Sequence, residues 1–192
     1  MQLINLKTDF LGRECEFFEQ LDSTQAYIWR MIENNTIKNG SLVMANIQTR
    51  GVGTHGRVWH TDEKNNIAFS FYIEMDFEWR NLAGITIDIA KILANIFRTR
   101  YNVEVSIKEP NDLVINGKKI GGILTESKIS CGKVKCLVVG IGINTNKVIF
   151  NEDIVEIATS IKKEYGIEIN NNEIVSQFCN DFEKLLKERM DK

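Results

Sequence analysis

Proline is almost absent: the 192 residues hold one, Pro110, against 13 glycines. No stretch therefore reads as a Pro-rich or Gly/Ser-rich linker, and turns fall to Gly and Asn. Histidine is nearly as scarce. His55 and His60 are the two imidazoles, and neither has a cysteine or carboxylate at ligand spacing, which argues against a zinc site. Cys15, Cys131, Cys136 and Cys179 form no C-x-x-C pair. A 22.0 kDa chain has core enough to need no disulfide staple, so they read as reduced thiols. Charge of neither sign is in excess: 24 Lys and Arg face 26 Asp and Glu, a net charge of -2. That leaves no basic surplus for a phosphate backbone, and no nucleic-acid partner is expected. Long apolar runs are missing too: no segment reaches the roughly 18 residues of a membrane span, and the N-terminus lacks a signal-peptide pattern. The expected location is the cytoplasm, with no membrane partner.

What is present is a 43% hydrophobic composition, enough for a sizeable core. Glu14 to Leu21 reads as a strand ending in Asp22-Ser23-Thr24, whose short polar side chains can cap a following helix. Leu42 to Ile47 is a short apolar strand. Ile67, Phe69, Phe71 and Ile73 alternate with smaller or polar residues at the period of a half-buried strand. Leu82 to Tyr101 carries Ile85, Ile89, Ile92, Leu93 and Ile96 at helical intervals. A strand from Val103 to Lys108 stops at Pro110, and Asn116-Gly117 closes a hairpin between Leu113–Ile115 and Lys119–Thr125. Val134 to Ile143 is a further buried strand, followed by helices at about Asp153 to Tyr165 and Asn172 to Arg189, the second capped by Asn170-Asn171-Asn172. Strands joined by hairpins with helices at the flanks predict an α+β fold built on a mixed, largely antiparallel sheet, in one domain spanning 1–192.

Between two strands lies Gln48-Thr49-Arg50-Gly51-Val52-Gly53-Thr54-His55-Gly56-Arg57-Val58-Trp59, which no regular element explains. It satisfies G-x-G-x-x-G literally but leads into a strand, whereas a dinucleotide loop opens a helix whose N-terminus meets the pyrophosphate. The kinase H-R-D and D-F-G elements and the G-K-[ST] of a P-loop are absent. The glycines either permit a tight turn or bring backbone N–H groups close to an anion, with Arg50 and Arg57 as further donors.

Four segments in this order resemble the catalytic domain of biotin-protein ligases, within the wider biotin/lipoate ligase family. They are Leu21-Asp22-Ser23-Thr24-Gln25, the glycine loop Gln48 to Trp59, Lys108-Glu109-Pro110-Asn111-Asp112-Leu113 with Gly117 to Glu126, and Val139-Gly140-Ile141-Gly142-Ile143-Asn144. The likeness covers about residues 10 to 188. It implies the fold shared with class II aminoacyl-tRNA synthetases and a two-step reaction. Biotin and ATP give biotinyl-adenylate and pyrophosphate, and a lysine of a biotin carboxyl carrier protein then takes the biotinyl group. Mg²⁺ accompanies the ATP.

By that resemblance Lys108 and Arg57 are the catalytic cations, with Lys108 bridging the biotin carboxylate and the α-phosphate. Ser23, Thr24, Gln25, Gln48, Gly51, Val52, Gly53, Thr54, Lys108 and Gly122 would hold biotin. Arg50, Gly56, Arg57, Trp59, Asn111 and Asn144 would meet the nucleotide. Ser23 and Thr24 read equally as helix caps, and Asn111 and Asp112 as turn formers. The chain departs from the family's G-R-G-R-x-G-R loop at Val52 and Thr54, from its tryptophan at Glu109 and from its asparagine at Gln25. Neither an N-terminal DNA-binding module nor a C-terminal β-barrel is expected, and monomer and homodimer both stay open. So do two other readings: a ligase or transferase for lipoate or octanoate, and a non-catalytic binder of biotin or its adenylate.

Overall fold

The computed structural model describes residues 3–61 and 66–190. A seven-stranded sheet organises them: β1 (Cys15–Leu21), β2 (Leu42–Gln48), β3 (Ile67–Glu78), β4 (Ser106–Lys108), β5 (Asp112–Ile115), β6 (Lys118–Ser130) and β7 (Lys133–Ile143), in the spatial order β1-β2-β3-β7-β6-β5-β4. β1 and β2 run parallel, linked by the helix α1 (Thr24–Glu33), and every other neighbouring pair is antiparallel. The sheet is thus mixed and largely antiparallel, as its hairpin signals predict. Asn116 and Gly117 both take positive φ, 50° and 78°, as the tight turn between β5 and β6 requires.

Alternation gives the sheet two unlike faces. Phe69 and Phe71 on β3, with Val139 and Ile141 on β7, point toward two long helices, α2 (Ile85–Tyr101) and a C-terminal helix (Asn171–Met190), and form the main core with them. Phe178 and Phe182 of the C-terminal helix stack at 5.4 Å and meet Phe71 edge-on or tilted. The opposite face is partly covered by α1, where Ile28, Val43 and Val138 make a second, smaller core. Beyond the end of α1 that face is open. Among the described residues no helix is long and apolar enough to cross a membrane.

Three of the departures from the expected boundaries have a local reason. α2 begins at Ile85, not Leu82: Trp79–Leu82 form a separate 3-10 turn, and Gly84 at φ 77° breaks the path between them. The strand expected from Val103 starts only at Ser106, because Asn102 at φ 54° ends α2 and Val103 N–H bonds back to the Phe97 carbonyl. The helix expected over 153–165 shrinks to α3 (Ile161–Tyr165), capped by Ser160, whose hydroxyl accepts from Lys163 N–H at 3.0 Å. Residues 152–157 are turns. The segment after them is drawn out to pair with β6, with Lys119 N–H on the Ile157 carbonyl at 2.8 Å and Thr159 N–H on the Lys119 carbonyl at 2.9 Å. The C-terminal helix, α4, has Asn170 Oδ1 accepting from Glu173 N–H at 3.3 Å.

The segment before β1 is fastened to α4 by one carboxylate. Glu183, 2% exposed, accepts from the backbone N–H groups of Asp9, Phe10 and Leu11 at 2.7, 3.2 and 2.9 Å and pairs with Lys187 at 2.9 Å. Burial alone would raise its pKa. The backbone donors and Lys187 outweigh burial and hold it below the ordinary 4.5. A carboxyl depressed in the native state contributes stability above its unfolded pKa and loses it as the pH falls through the native value. We expect Glu183→Gln to cost about 2 kcal/mol at pH 7, since the amide leaves one of the N–H groups without an acceptor and leaves Lys187 only Asp9, at 2.6 Å, as its ion-pair partner. Thermal unfolding followed from pH 7 to pH 3 checks this: the gap between the two proteins should narrow below pH 4.5, and a constant gap would exclude the charge as its source.

Candidate active site

The open part of the second sheet face is a cleft, and glycine makes its floor. β3, β7 and β6 are in register there, with Ser70 opposite Gly140, Ala68 opposite Gly142, Gly122 opposite Gly142, and Leu124 opposite Gly140. Those residues point away from α2 and α4, so Gly122, Gly140 and Gly142 leave a bare strip of backbone where larger side chains would fill the space. Side chains rest on the strip: a Cβ on Gly142 would stand 2.3 Å from Cε2 of Trp59, so the indole lies on that glycine, and a Cβ on Gly140 would stand 2.7 Å from Gln25 Oε1. The cleft encloses about 450 Å³ of empty space, open mouth included.

Its polar end is built by α1 and β2. Ser23 is the N-cap of α1, its hydroxyl accepting from Ala26 N–H at 3.4 Å. Thr24 N–H and Oγ1 both donate to Gln48 Oε1, at 2.8 and 3.0 Å, and Thr24 Oγ1 lies 2.8 Å from Ser70 Oγ. A threonine hydroxyl has a single proton, and it is committed to Gln48, so Ser70 donates to Thr24 and keeps its own lone pairs unspent. Gln48 Nε2 donates to Thr61 Oγ1 at 3.2 Å, leaving its second N–H. Gln25 donates through Nε2 to Glu126 and to the Val138 carbonyl, and its buried Oε1 has no partner among the described residues. Ser70, fully buried, carries no signal in the sequence beyond its place on the outward parity of β3.

The other end holds a cation. Lys119 Nζ is 2.6 Å from Asp112 Oδ1, 5.7 Å from the centre of the Trp59 ring, and 3.3 Å from where a Cβ on Gly122 would be. Strand parity alone puts Lys119 with Gly121 and Ile123, toward the core. A bulge between β5 and β6 reverses that: Leu113 pairs with Gly121 but Val114 pairs with Lys119, so Ile120 is the extra residue and turns inward to the core while Lys119 turns to the cleft. The sequence carries no mark of that extra residue, so strand parity alone does not point to Lys119.

Lys108 is not part of the cleft wall. It ends β4 at the edge of the sheet, exposed, with its Cα opposite Asp112. The bulge brings Lys119, and not Lys108, to the cleft wall. Asn111 does line the cleft, tied to β6 by its side chain on the Ile123 carbonyl and by Ile123 N–H on its own carbonyl, both at 3.0 Å. Asn144 lies beyond the floor, 7% exposed, its N–H on the Ile120 carbonyl.

The glycine loop is a small hairpin arm. Gln48 bridges to Thr61 and Val52 to Val58, and the tip is a 3-10 turn, Thr54–Gly56, with His55 and Gly56 at φ 57° and 72°. Gly51 is required by close approach, since a Cβ there would fall 2.3 Å from the Trp59 carbonyl, and Gly56 by its positive φ. The inner side of the arm, Val52, Gly53, Thr54 and Trp59, faces the cleft. Arg50, Gly56 and Arg57 are exposed and do not line it.

Residues 17–144 match the Biotin/lipoate A/B protein ligase family. The chain belongs to that family. It is 33% identical over 187 residues to the bifunctional ligase/repressor BirA of Bacillus subtilis, a match that takes in 96% of this chain and 57% of that protein. The chain thus spans a little over half the length of the curated relatives it matches. Among solved structures, the biotin protein ligase of Aquifex aeolicus in complex with biotin and ATP superposes with a TM-score of 0.76 at 27% identity, over 94% of this chain and 73% of that one. P. falciparum LipL1 in complex with lipoate shares the fold at a TM-score of 0.56 and 12% identity, over 90% and 63%.

The resting place of Trp59 is open to test. Gly142→Ala puts a methyl group inside the indole's present position, so the ring must lift away. Acrylamide quenching of tryptophan fluorescence should rise relative to the parent chain, with a stability loss of about 1–3 kcal/mol. Unchanged quenching would mean that the indole does not occupy the floor in solution.

Proposed function

We propose that the chain is a biotin–protein ligase, joining biotin to ATP as biotinyl-adenylate and passing the biotinyl group to a lysine of a biotin carboxyl carrier protein. One observation carries the reading. The polar end of the cleft offers an uncommitted N–H on Gln48 and two unspent acceptors, Gln25 Oε1 and Ser70 Oγ. A cyclic urea, with one carbonyl and two N–H groups, is the complement of that set in number and sense. A dithiolane or an alkyl chain offers none of these atoms and would leave the polar end unpaired. The names of the relatives support the same choice, while the lipoate-bound neighbour is like this chain in fold alone.

The polar groups at one end and the cation at the other give the acid its direction. With the urea held by Gln25, Gln48 and Ser70, biotin would direct its carboxylate toward Lys119. The ammonium of Lys119 would lower the repulsion between that carboxylate and the α-phosphate and stabilise the charge that grows as the carboxylate oxygen bonds to phosphorus and pyrophosphate leaves. Asp112 orients the amine through its 2.6 Å ion pair. Arg50 and Arg57 would meet phosphate oxygens when the arm closes, and Trp59 and the arm's backbone would keep water from the anhydride. In the second step the carrier lysine's amine attacks the biotinyl carbonyl and AMP leaves. Mg²⁺ would enter with the triphosphate, which supplies most of its oxygen ligands.

Pyrophosphate exchange into ATP tests the reading. Exchange should depend on biotin, and exchange with lipoate in place of biotin would overturn it. Lys119→Ala should slow biotin-dependent exchange by about 10²–10³-fold, as loss of a transition-state charge partner does. Lys108→Ala should stay within a few-fold of the parent, and the reverse pattern would return the central role to Lys108.

A further inference from the structure

Gln25 and Trp29 stand four residues apart on α1 and so share one side of the helix. Both reach the same carboxylate oxygen of Glu126 on β6: Gln25 Nε2 at 2.9 Å and Trp29 Nε1 at 2.6 Å. The other N–H of Gln25 goes to the carbonyl of Val138, the β7 residue in register with Glu126, at 3.4 Å. Each of these partners accepts and cannot donate. A turned-over amide would set its oxygen against a carboxylate and a carbonyl, so only one orientation is tenable. In that orientation Gln25 Oε1 faces the cleft floor, where a Cβ on Gly140 would come within 2.7 Å of it. The residue is 5% exposed, lines the cleft, and its oxygen has no partner among the described residues.

We propose that Glu126 is a positioning residue for substrate choice: by holding Gln25 with its oxygen inward, it makes the head pocket demand an N–H donor from the ligand. Glu126 itself lies at the exposed rim of the face and does not line the cleft. It acts through Gln25, and Trp29 keeps it in place. A cyclic urea satisfies the demand and a dithiolane cannot. The inference rests on the biotin–protein ligase reading and names the device by which the acid is chosen. It also accounts for glutamine at position 25, whose longer side chain reaches from α1 to both Glu126 and the floor.

Calorimetric titration of the full chain with biotin and with lipoate separates the outcomes. Glu126→Ala should raise the Kd for biotin about five- to tenfold, the loss expected when one hydrogen bond to an amide no longer holds its orientation. Lipoate binding should not weaken, and the thermal midpoint should hold. In pyrophosphate exchange the change should fall on the KM for biotin and leave kcat at saturating biotin alone. Glu126→Gln keeps an acceptor oxygen for both Gln25 and Trp29 and should recover most of the affinity. An unchanged biotin Kd in Glu126→Ala, or equal losses in the Ala and Gln variants, overturns the proposal while leaving the functional reading intact. A parent chain that binds no biotin overturns both.

Discussion

A sheet can carry a deep site on one face only if the other face bears the weight of folding. Here β3, β6 and β7 send one set of side chains into the core with α2 and α4, and the phenylalanines there supply the packing that a chain of this size needs. The opposite set is then relieved of that task and can be reduced to hydrogen at Gly122, Gly140 and Gly142. Glycine in a strand interior weakens the strand on its own account. The cost is tolerable because each of these glycines sits in a strand paired on both sides and buried on its back. The hollow, its depth and the room for Trp59 above it all follow from that division of labour.

The two ends of the hollow obey different physics. At one end the groups are neutral amides and hydroxyls whose donors and acceptors are almost all spoken for, which fixes the sense of the few that remain. At the other end a single ammonium is held by a carboxylate and lies near an aromatic face, its side chain about one third exposed. Neutral groups discriminate by pattern and a charge attracts by sign, so specificity and chemistry are physically separated along the floor.

Much of this was legible in the chain before any coordinates. The alternation of β3, the Asn116-Gly117 turn and the Ser23 cap are local signals, and local signals survive folding. The residues gathered at the polar end, Ser23, Thr24, Gln25 and Gln48, stand at the start of a helix and the end of a strand, where a motif marks them. What escaped is non-local. Lys119 reaches the cleft through one extra residue in β6, and an extra residue is defined only against the partner strand. Ser70 matters because α1 and β2 arrive beside it. The helix expected over 153–165 was overruled by an edge that needed a partner. Lys108 and Lys119 both flank the Pro110–Gly117 stretch, and nothing in composition distinguishes the lysine on the rim from the lysine inside.

The backbone N–H and carbonyl of Lys119 are both held by main-chain atoms of residues 157 and 159, and Ile157 itself points out into solvent at 65% exposure. The placement of the ammonium therefore draws on the length of a distant stretch and not on its lettering. Such a stretch can drift in composition with little consequence, but a residue gained or dropped there would shift the charge along the floor.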